Sequence, residues 1–333
     1  CIRVWGDGRR CLTASQDGTV RLWEIDTSKL LRKFKIGAYW HEPLAVSPDQ
    51  QVAAAENPQG TVRLFDFETG EPLKELSGHS DAIAHIEFST DGRRLLSRSR
   101  DETVRLWEVE TGSELHRFDC EPWWSLAAIF SPDGGKVFYG DGGFAVLWDI
   151  ETESEAWRAG DDELPSHIYS IAISADGRRV ATSTLGGPIH LRDAATGELL
   201  GTFVGHSVYS AIAFTPDGRH LVSANNADKT LRVWSVETFL ETCRIKADRA
   251  ITNCVAVLPD GRRVITGGGN KYEPPKTWIP EGDYDLHVWR LPESVWPKNG
   301  SKAERAATLE PGAFVVIATQ GAEVAKFDTL TEA

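Results

Sequence analysis

The chain repeats itself with a period of about 42 residues. Short runs of alternating apolar residues recur along it, and seven of them end at Trp23, Phe65, Trp107, Trp148, Arg192, Trp234 and Trp289. The steps between these positions are 42, 42, 41, 44, 42 and 55 residues. Self-similarity at a period of 20 to 50 residues is typical of a repeat array. We therefore expect residues 1–333 to form one domain of similar units, with seven clear units in 1–292 and a weaker segment in 293–333.

Each unit has the pattern of four short strands. After Gly78, the segment AHIEFS leads into the Asp91-Gly92 turn, and the runs RRLLS, TVRLW and ELHRF follow, separated by RSRDE and ETG. Alternation of apolar and polar residues predicts strands, and Asp-Gly favours a tight turn because glycine readily takes positive φ. No segment has the pattern of a long amphipathic helix. The chain is therefore predicted to be all-β, built from four-stranded antiparallel sheets.

A single sheet of this kind cannot bury both of its faces. Sheets stacked radially cover one another and leave few open edges. The first strand of each unit fits a position near a narrow axis, because the residue four places before the turn aspartate is often alanine: Ala45, Ala172, Ala213 and Ala256.

These features together resemble the WD-repeat β-propeller family. The resemblance rests on the dipeptides Gly78-His79 and Gly205-His206, on the Ser-Pro-Asp-Gly type of turn and on the TVRLW endings. Repeated DGRR and ETG segments are similar in style to bacterial members. The segment 312–328 has the pattern of a second strand, a loop and a third strand, so we expect eight blades. Seven blades plus a C-terminal extension is the alternative.

The resemblance implies a buried hydrogen-bond chain of His, Ser or Thr, Asp and Trp in each blade. Complete sets are His79, Ser97, Asp101, Trp107 and His206, Ser223, Asp228, Trp234. Partial sets are Thr13, Asp17, Trp23 and Thr266, Asp283, Trp289. We interpret them as structural because a hydrolase needs an exposed nucleophile. Phe65 and Arg192 replace the Trp, and blade four lacks the Ser and the His, so these blades are expected to be the weakest.

The family fold places the loop before the first strand and the loop between the second and third strands on one rim, here called the top rim. The candidate binding residues of this rim are Tyr39, Trp40, His41, Asp81, Trp123, Trp124, His167, Tyr169 and Tyr209. Aromatic residues of this kind are typical of binding hot spots. Plugging of the central channel remains the alternative for Trp40 and Trp124, and it is favoured for Tyr209.

One long insertion, residues 267–285, also rises from the top rim. It contains Tyr272 and Trp278, and we expect an ordered contact arm; packing against the neighbouring blade is the alternative. The opposite rim, here called the bottom rim, carries the Asp-Gly turns and many arginines. These arginines could bind an anionic partner, or they could simply pair with nearby carboxylates. The pairing with carboxylates is favoured.

Composition and the absence of known motifs narrow the range of possible functions. The formal net charge of −13 argues against nucleic acid and anionic membranes as partners, and no apolar run is long enough for a membrane helix. The five cysteines form no Cys-x-x-Cys pair, so we expect free thiols, no metal and no cofactor. No motif for phosphate binding, zinc-dependent or serine hydrolysis or calcium binding is present.

We therefore expect a non-catalytic scaffold that binds a protein or peptide through the top rim. A ligand-sensing regulatory module of a larger signalling protein is the alternative, and a propeller hydrolase is a third candidate. We expect a monomeric domain in the cytoplasm. Because the chain begins at Cys1 and contains no Met, we also expect it to belong to a longer protein.

Overall fold

The computed structural model describes most of the chain as β-strands joined by short turns. The described residues are 2–4, 7–15, 19–35, 43–57, 60–120, 128–160, 167–225, 227–246, 251–268, 271–273, 277–279, 286–292, 295, 314–317 and 326–327. Within them the strands form seven blades. This confirms the predicted all-β propeller architecture of four-stranded antiparallel sheets.

The first six blades share one strand order. Blade one contains β1 (Ile2–Val4), β2 (Arg10–Ser15), β3 (Thr19–Glu24) and β4 (Lys29–Lys35), and blade two contains β5 (Leu44–Val46), β6 (Val52–Glu56), β7 (Val62–Asp66) and β8 (Pro72–Leu76). Blade three contains β9 (Ile83–Phe88), β10 (Arg94–Ser99), β11 (Thr103–Glu108) and β12 (Glu114–Asp119), and blade four contains β13 (Ala128–Phe130), β14 (Lys136–Asp141), β15 (Phe144–Asp149) and β16 (Ser154–Ala159). Blade five contains β17 (Ile168–Ile173), β18 (Arg179–Thr184), β19 (Ile189–Asp193) and β20 (Leu199–Phe203), and blade six contains β21 (Ala211–Phe214), β22 (His220–Asn225), β23 (Thr230–Ser235) and β24 (Glu241–Lys246).

Blade seven is built differently. It contains β25 (Ile251–Val257), β26 (Arg263–Gly268), β29 (Leu286–Arg290), β30 (Phe314–Ile317) and β31 (Lys326–Phe327), and the hairpin of β27 (Lys271–Glu273) and β28 (Thr277–Ile279) lies between β26 and β29 in sequence. Strand β30 pairs antiparallel with β29, with Val315 opposite Val288, and β31 pairs with β30. The C-terminal segment therefore completes blade seven.

The expectation of eight blades was wrong. We attribute the difference to the outer edge of β29, with which β30 pairs. An unpaired strand edge leaves backbone donors and acceptors without partners. Residues 314–317 cover that edge instead of starting a separate sheet.

The ring closes between blade seven and blade one. Each first strand contacts the first strand of the next blade, and β25 contacts β1. The apolar core is divided into seven clusters, each shared by two neighbouring blades. The closing cluster joins Ile2, Cys11 and Trp23 of blade one to Ile265 and Val288 of blade seven. Closure is therefore achieved by packing between two blades.

The perimeter carries a second set of contacts between blades. In each of the first six blades the fourth strand contains a β-bulge opposite the end of the third strand. The residue after the bulge contacts the following blade in several cases. Arg32 and Lys74 donate to the backbone carbonyls of Glu68 and Glu110, and the Trp157 indole donates to Ala194 O at 3.1 Å. These bridges tie the outer strands together where the apolar clusters end.

A hydroxyl group supports the bottom-rim turn in five blades. The hydroxyl–carboxylate distances are 2.5 Å for Ser47–Asp49, 2.6 Å for Ser89–Asp91, 2.5 Å for Ser131–Asp133, 2.6 Å for Ser174–Asp176 and 2.6 Å for Thr215–Asp217. The same carboxylates accept a backbone N–H two residues on, as Asp91 does from Arg93 at 3.0 Å. Hydrogen bonds from Ser89 and from the Arg93 backbone hold the pKa of Asp91 below its usual value.

Candidate functional site

A buried polar chain runs through blade three. The His79 ring reaches the Asp101 carboxylate through Nδ1 at 2.9 Å and the Ser97 hydroxyl through Nε2 at 2.7 Å. The Trp107 indole N–H donates to the same hydroxyl at 2.7 Å. Thr103 Oγ1 donates to Asp101 at 2.7 Å. The four residues singled out in the sequence therefore lie in one connected network.

The donor order of this network fits a neutral His79. Trp107 N–H donates to Ser97 Oγ, Ser97 O–H donates to Nε2, and Nδ1–H donates to the Asp101 carboxylate, so each group has a partner. Burial lowers the pKa of His79, and the neighbouring Asp101 only partly offsets this effect. Burial also works to raise the pKa of Asp101, but hydrogen bonds from Thr103 and His79 outweigh it and hold that pKa below its usual value.

Blade six repeats the arrangement. His206 Nδ1 lies 2.8 Å from Asp228, and its Nε2 lies 2.7 Å from Ser223. Trp234 N–H donates to Ser223 at 2.8 Å. Burial lowers the pKa of His206 as it does in blade three. Two copies of one geometry, placed by equivalent strands, indicate a repeated structural device.

Each network also contains an arginine that the sequence pattern did not predict. Arg105 donates to Glu114 at 2.6 Å, and Arg232 donates to Glu241 at 3.2 Å and to Asp228 at 2.7 Å. Each arginine stands two residues before the Trp of its blade, and each glutamate stands nine residues after the arginine. That fixed spacing is the signal from which the pairs could have been predicted.

The arginines also explain the glycine of each Gly-His dipeptide. A methyl group on Gly78 would lie 3.1 Å from Trp107 Cη2 and against the Arg105 guanidinium. A methyl group on Gly205 would lie 2.9 Å from Trp234 Cη2 and against Arg232. Any side chain at these positions would displace the indole or the guanidinium.

The His–Asp–Ser trios are not arranged for nucleophilic catalysis. Ser97 and Ser223 are fully buried, at 0% exposure, and their oxygens already accept the indole N–H. A catalytic serine must reach a substrate carbonyl. These hydroxyls therefore serve the fold of the two blades.

The remaining blades have simpler contacts at the equivalent positions. Trp23 donates to Thr13 at 3.0 Å and Trp289 donates to Thr266 at 2.7 Å, while Asp17 and Asp283 lie outside the described residues. In blade four, Trp148 is half-buried and its ring centroid lies 4.7 Å from that of His116. In blade five, Arg192 donates to the backbone carbonyl of Gly197 at 3.0 Å.

Two aromatic residues of the top rim lie against each other. The rings of Tyr169 and Tyr209 have centroids 4.3 Å apart at an interplanar angle of 30°. Tyr169 belongs to β17, and Tyr209 stands two residues before β21, so the pair joins blades five and six. Both tyrosines are half-buried. A tilted ring contact at this distance is a favourable aromatic pair.

The other described rim residues lie at the starts of their blades. His167 precedes β17 and is half-buried, with its Nδ1 unpartnered among the described residues. Asp81 is exposed before β9, where its carboxylate accepts the Ala82 N–H at 2.6 Å and its carbonyl accepts the Ser99 hydroxyl at 2.8 Å. Tyr39, Trp40, His41, Trp123 and Trp124 lie outside the described residues.

The insertion of blade seven contains a short hairpin. Strands β27 and β28 pair antiparallel, with Tyr272 opposite Trp278 in the backbone register. This hairpin is part of the insertion between the second and third strands of its blade, which is the segment expected to form a contact arm.

Several bottom-rim arginines pair with carboxylates. Arg10 lies 3.2 Å from Asp7, and Arg263 contacts Asp260 and Asp26, each at 2.6 Å. Arg94 donates to the carbonyl of Gly134 in the next blade at 3.3 Å. These contacts favour a structural role for the arginines concerned, and the Arg263–Asp26 pair joins blade seven to blade one.

No group of three or more His, Cys, Asp or Glu side chains that could hold a metal ion occurs in the part of the chain that the structure describes. Nor do the described segments contain a helix with the length and apolar character needed to cross a bilayer. Cys11, Cys120, Cys243 and Cys254 are free thiols.

The fold and the blade networks define the class of protein: a β-propeller whose blades are held by recurring His–Ser–Asp–Trp contacts. The family model described as "WD domain, G-beta repeat" matches residues 1–24, 70–108 and 197–235. The second and third of these ranges contain the two complete networks, so the matched parts of the chain are similar to WD repeats.

Curated relatives agree with this assignment. The chain is 32% identical over 103 residues to an uncharacterized WD repeat-containing protein of Synechocystis. This match covers 31% of this chain and 29% of that protein. It is 29% identical over 132 residues to the WD repeat-containing protein pop2 of Schizosaccharomyces pombe, covering 39% of this chain and 18% of that protein. With WD repeat-containing protein 1 of Bos taurus it shares 37% identity over 73 residues, covering 21% and 12%. The similarity therefore spans well under half of each relative.

Proposed function

We propose that this protein is a non-catalytic scaffold that binds a protein or peptide partner through its top rim. The observation that supports this most directly is the Tyr169–Tyr209 pair, which presents two stacked rings at the junction of blades five and six. Aromatic residues held rigidly at a rim lose little conformational entropy when they bind a partner.

Two further residues add polar groups to the same rim. His167 stands two residues before Tyr169, and its ring nitrogen Nδ1 has no hydrogen-bond partner within the described segments. The exposed Asp81 adds a carboxylate on the same rim. A surface that combines rings, an imidazole and a carboxylate suits a peptide with both apolar and basic side chains.

A peptide-display selection on the immobilised protein tests the proposal. Selected peptides are expected to bind the double variant Tyr169→Ala/Tyr209→Ala at least tenfold more weakly than the wild-type protein, measured by fluorescence anisotropy. The matched control is Leu199→Ala/Leu240→Ala, which removes two exposed apolar side chains from the perimeter and should leave the affinity unchanged. Equal affinity for the wild-type protein and the tyrosine variant would refute the top-rim proposal.

A ligand-sensing regulatory module is the second candidate. A cavity of about 400 Å³ that Arg3 and Glu87 line favours it, because ligand pockets commonly have volumes of this order. In that case the chain would form part of a larger signalling protein. A full-length gene product without any further domain would contradict this second candidate.

A further inference from the structure

Two blades depart from the rule that small or apolar residues occupy the position nearest the axis. Four residues before the aspartate of each bottom-rim turn, five blades carry Ala45, Ile129, Ala172, Ala213 and Ala256. Blade one carries Arg3 at this position, and blade three carries Glu87. Two opposite charges therefore stand at the most crowded part of the ring, on either side of the small Ala45.

Arg3 crosses blade two to reach blade three. Its Nη2 donates to the carbonyl oxygen of Ile86 at 3.3 Å and lies 3.2 Å from Nε2 of His85. The carboxylate of Glu87 accepts the Phe130 N–H of blade four at 3.3 Å. None of the ion pairs found among the described residues joins Arg3 to Glu87. The two charged groups are close in the fold but are not neutralised by direct contact.

Both groups line one cavity of about 400 Å³. Val46, Pro48 and Phe88 supply apolar surface beside them, and Pro48 belongs to the bottom-rim turn of blade two. The cavity therefore combines a cation, a carboxyl group and an apolar wall. Pockets that bind small molecules typically have this composition, with a few polar groups that fix the orientation of the ligand.

The charge states of the lining groups favour a ligand that carries both charges. Burial raises the pKa of Glu87 to about 7, and the neighbouring Arg3 only partly offsets this rise. His85 lies beside Arg3 but does not line the cavity; burial and the nearby Arg3 and Arg98 lower its pKa to about 3, so this imidazole is neutral. A ligand ammonium group beside Glu87 would stabilise the ionised carboxylate.

We propose that this cavity binds a small zwitterion of the α-amino-acid class with an apolar side chain. Arg3 binds the ligand carboxylate, Glu87 binds the ammonium group, and the ligand side chain packs against Val46, Pro48 and Phe88. The site lies toward the bottom rim, so it is independent of the partner proposed for the top rim.

Isothermal titration of the protein with three related probes tests this site. L-leucine carries both charges, whereas isoamylamine carries only the ammonium group and 4-methylpentanoate only the carboxylate. We expect leucine to bind at least tenfold more tightly than either of the other two. No binding of leucine at millimolar concentration, or equal binding of all three probes, would overturn the proposal.

The pH dependence of binding supplies a second readout. The charged group that acts on Glu87 is Arg3 of β1; on the same blade Arg98 acts on His85, and β5 and β13 carry no titratable side chain. Leucine requires ionised Glu87, so its affinity should fall about tenfold from pH 8 to pH 6. The affinity of 4-methylpentanoate should rise over the same range, because protonation of Glu87 removes a repulsive charge.

Matched variants assign the two contacts. Glu87→Gln keeps an acceptor for the Phe130 N–H but should abolish the pH dependence of leucine binding and weaken it. Arg3→Gln should weaken leucine binding at least tenfold, while Arg3→Lys, which keeps the positive charge, should retain part of the affinity. Arg9→Gln changes an exposed arginine of the same rim and should have no effect. Unchanged pH dependence in folded Glu87→Gln would contradict the assignment of Glu87.

Discussion

The indole Nε1 of Trp107 donates a hydrogen bond of 2.7 Å to the hydroxyl of Ser97 on the adjacent strand. This contact joins an apolar cluster shared by blades two and three to the polar chain that ends at Asp101. A buried indole N–H needs a partner, and here that partner also fixes the orientation of His79. Blade six shows the same relationship between Trp234, Ser223 and His206.

Removing the aspartate at the end of the chain should destabilise the protein. Asp101→Ala or Asp228→Ala leaves His, Thr and backbone donors without an acceptor, and we expect each to lower the free energy of unfolding by about 1–3 kcal/mol. Chemical denaturation measures this change. Asp119→Ala, which removes an exposed carboxylate paired only with Arg117, is the control and should stay within about 0.5 kcal/mol of the wild-type protein. Identical stability of Asp228→Ala and Asp119→Ala would contradict the role assigned to the network.

The glycine of the Gly-His dipeptide should not tolerate a methyl group. In Gly205→Ala the new methyl meets Trp234 and Arg232, and the overpacking should cost about 1–3 kcal/mol of unfolding free energy. Gly135→Ala is the matched control, because its methyl would meet only ordinary contacts of 3.5 Å or more. Thermal unfolding of the two variants side by side should show a lower Tm for Gly205→Ala alone.

Acidification from pH 8 to pH 5.5 should destabilise the protein through its buried histidines. Burial lowers the pKa values of His79 and His206, so the unfolded chain binds more protons than the folded protein as the pH falls below about 6.5. Stability is therefore present above that pH and is lost as the pH falls toward the folded pKa values. His206→Gln should show a shallower loss of unfolding free energy with pH, measured by denaturant titration. A slope equal to that of the wild-type protein would show that His206 does not contribute.

The Trp157 bridge should stabilise the junction of blades four and five. Its indole donates to Ala194 O, packs against Gly197 and lies with its ring 6.0 Å from that of Phe138. Trp157→Ala removes these contacts from a half-buried site, and we expect a loss of about 1–3 kcal/mol. Leu115→Ala, at an exposed position of the blade-three perimeter, should change stability by less than about 0.5 kcal/mol. Hydrogen exchange should locate the increased opening in blades four and five.

The strand order within a blade could be predicted from the sequence because its determinants are local. Alternation in AHIEFS and the Asp91-Gly92 turn specify a hairpin within about 15 residues of chain. The resemblance to the WD-repeat family then implied the two polar chains, with Ser97 and Trp107 in one blade and Ser223 and Trp234 in another. In contrast, the ion pair of Arg105 and Glu114 was not predicted. Charged residues on a strand are usually exposed, so within a single blade nothing in the sequence marks these two as partners.

The amino-acid sequence by itself determined the repeat and the four-stranded blade, because period-two alternation and turn chemistry act within one unit. Its resemblance to the WD-repeat family implied the residues of the two complete buried networks. Only the tertiary structure decided that the described strands form seven blades, that residues 314–317 cover β29, and that Tyr169 meets Tyr209. These outcomes depend on which distant surfaces come together when the ring closes. The encounter of Arg3 with His85 across blade two is decided in the same way, because the geometry of the whole ring brings the first blade within reach of the third.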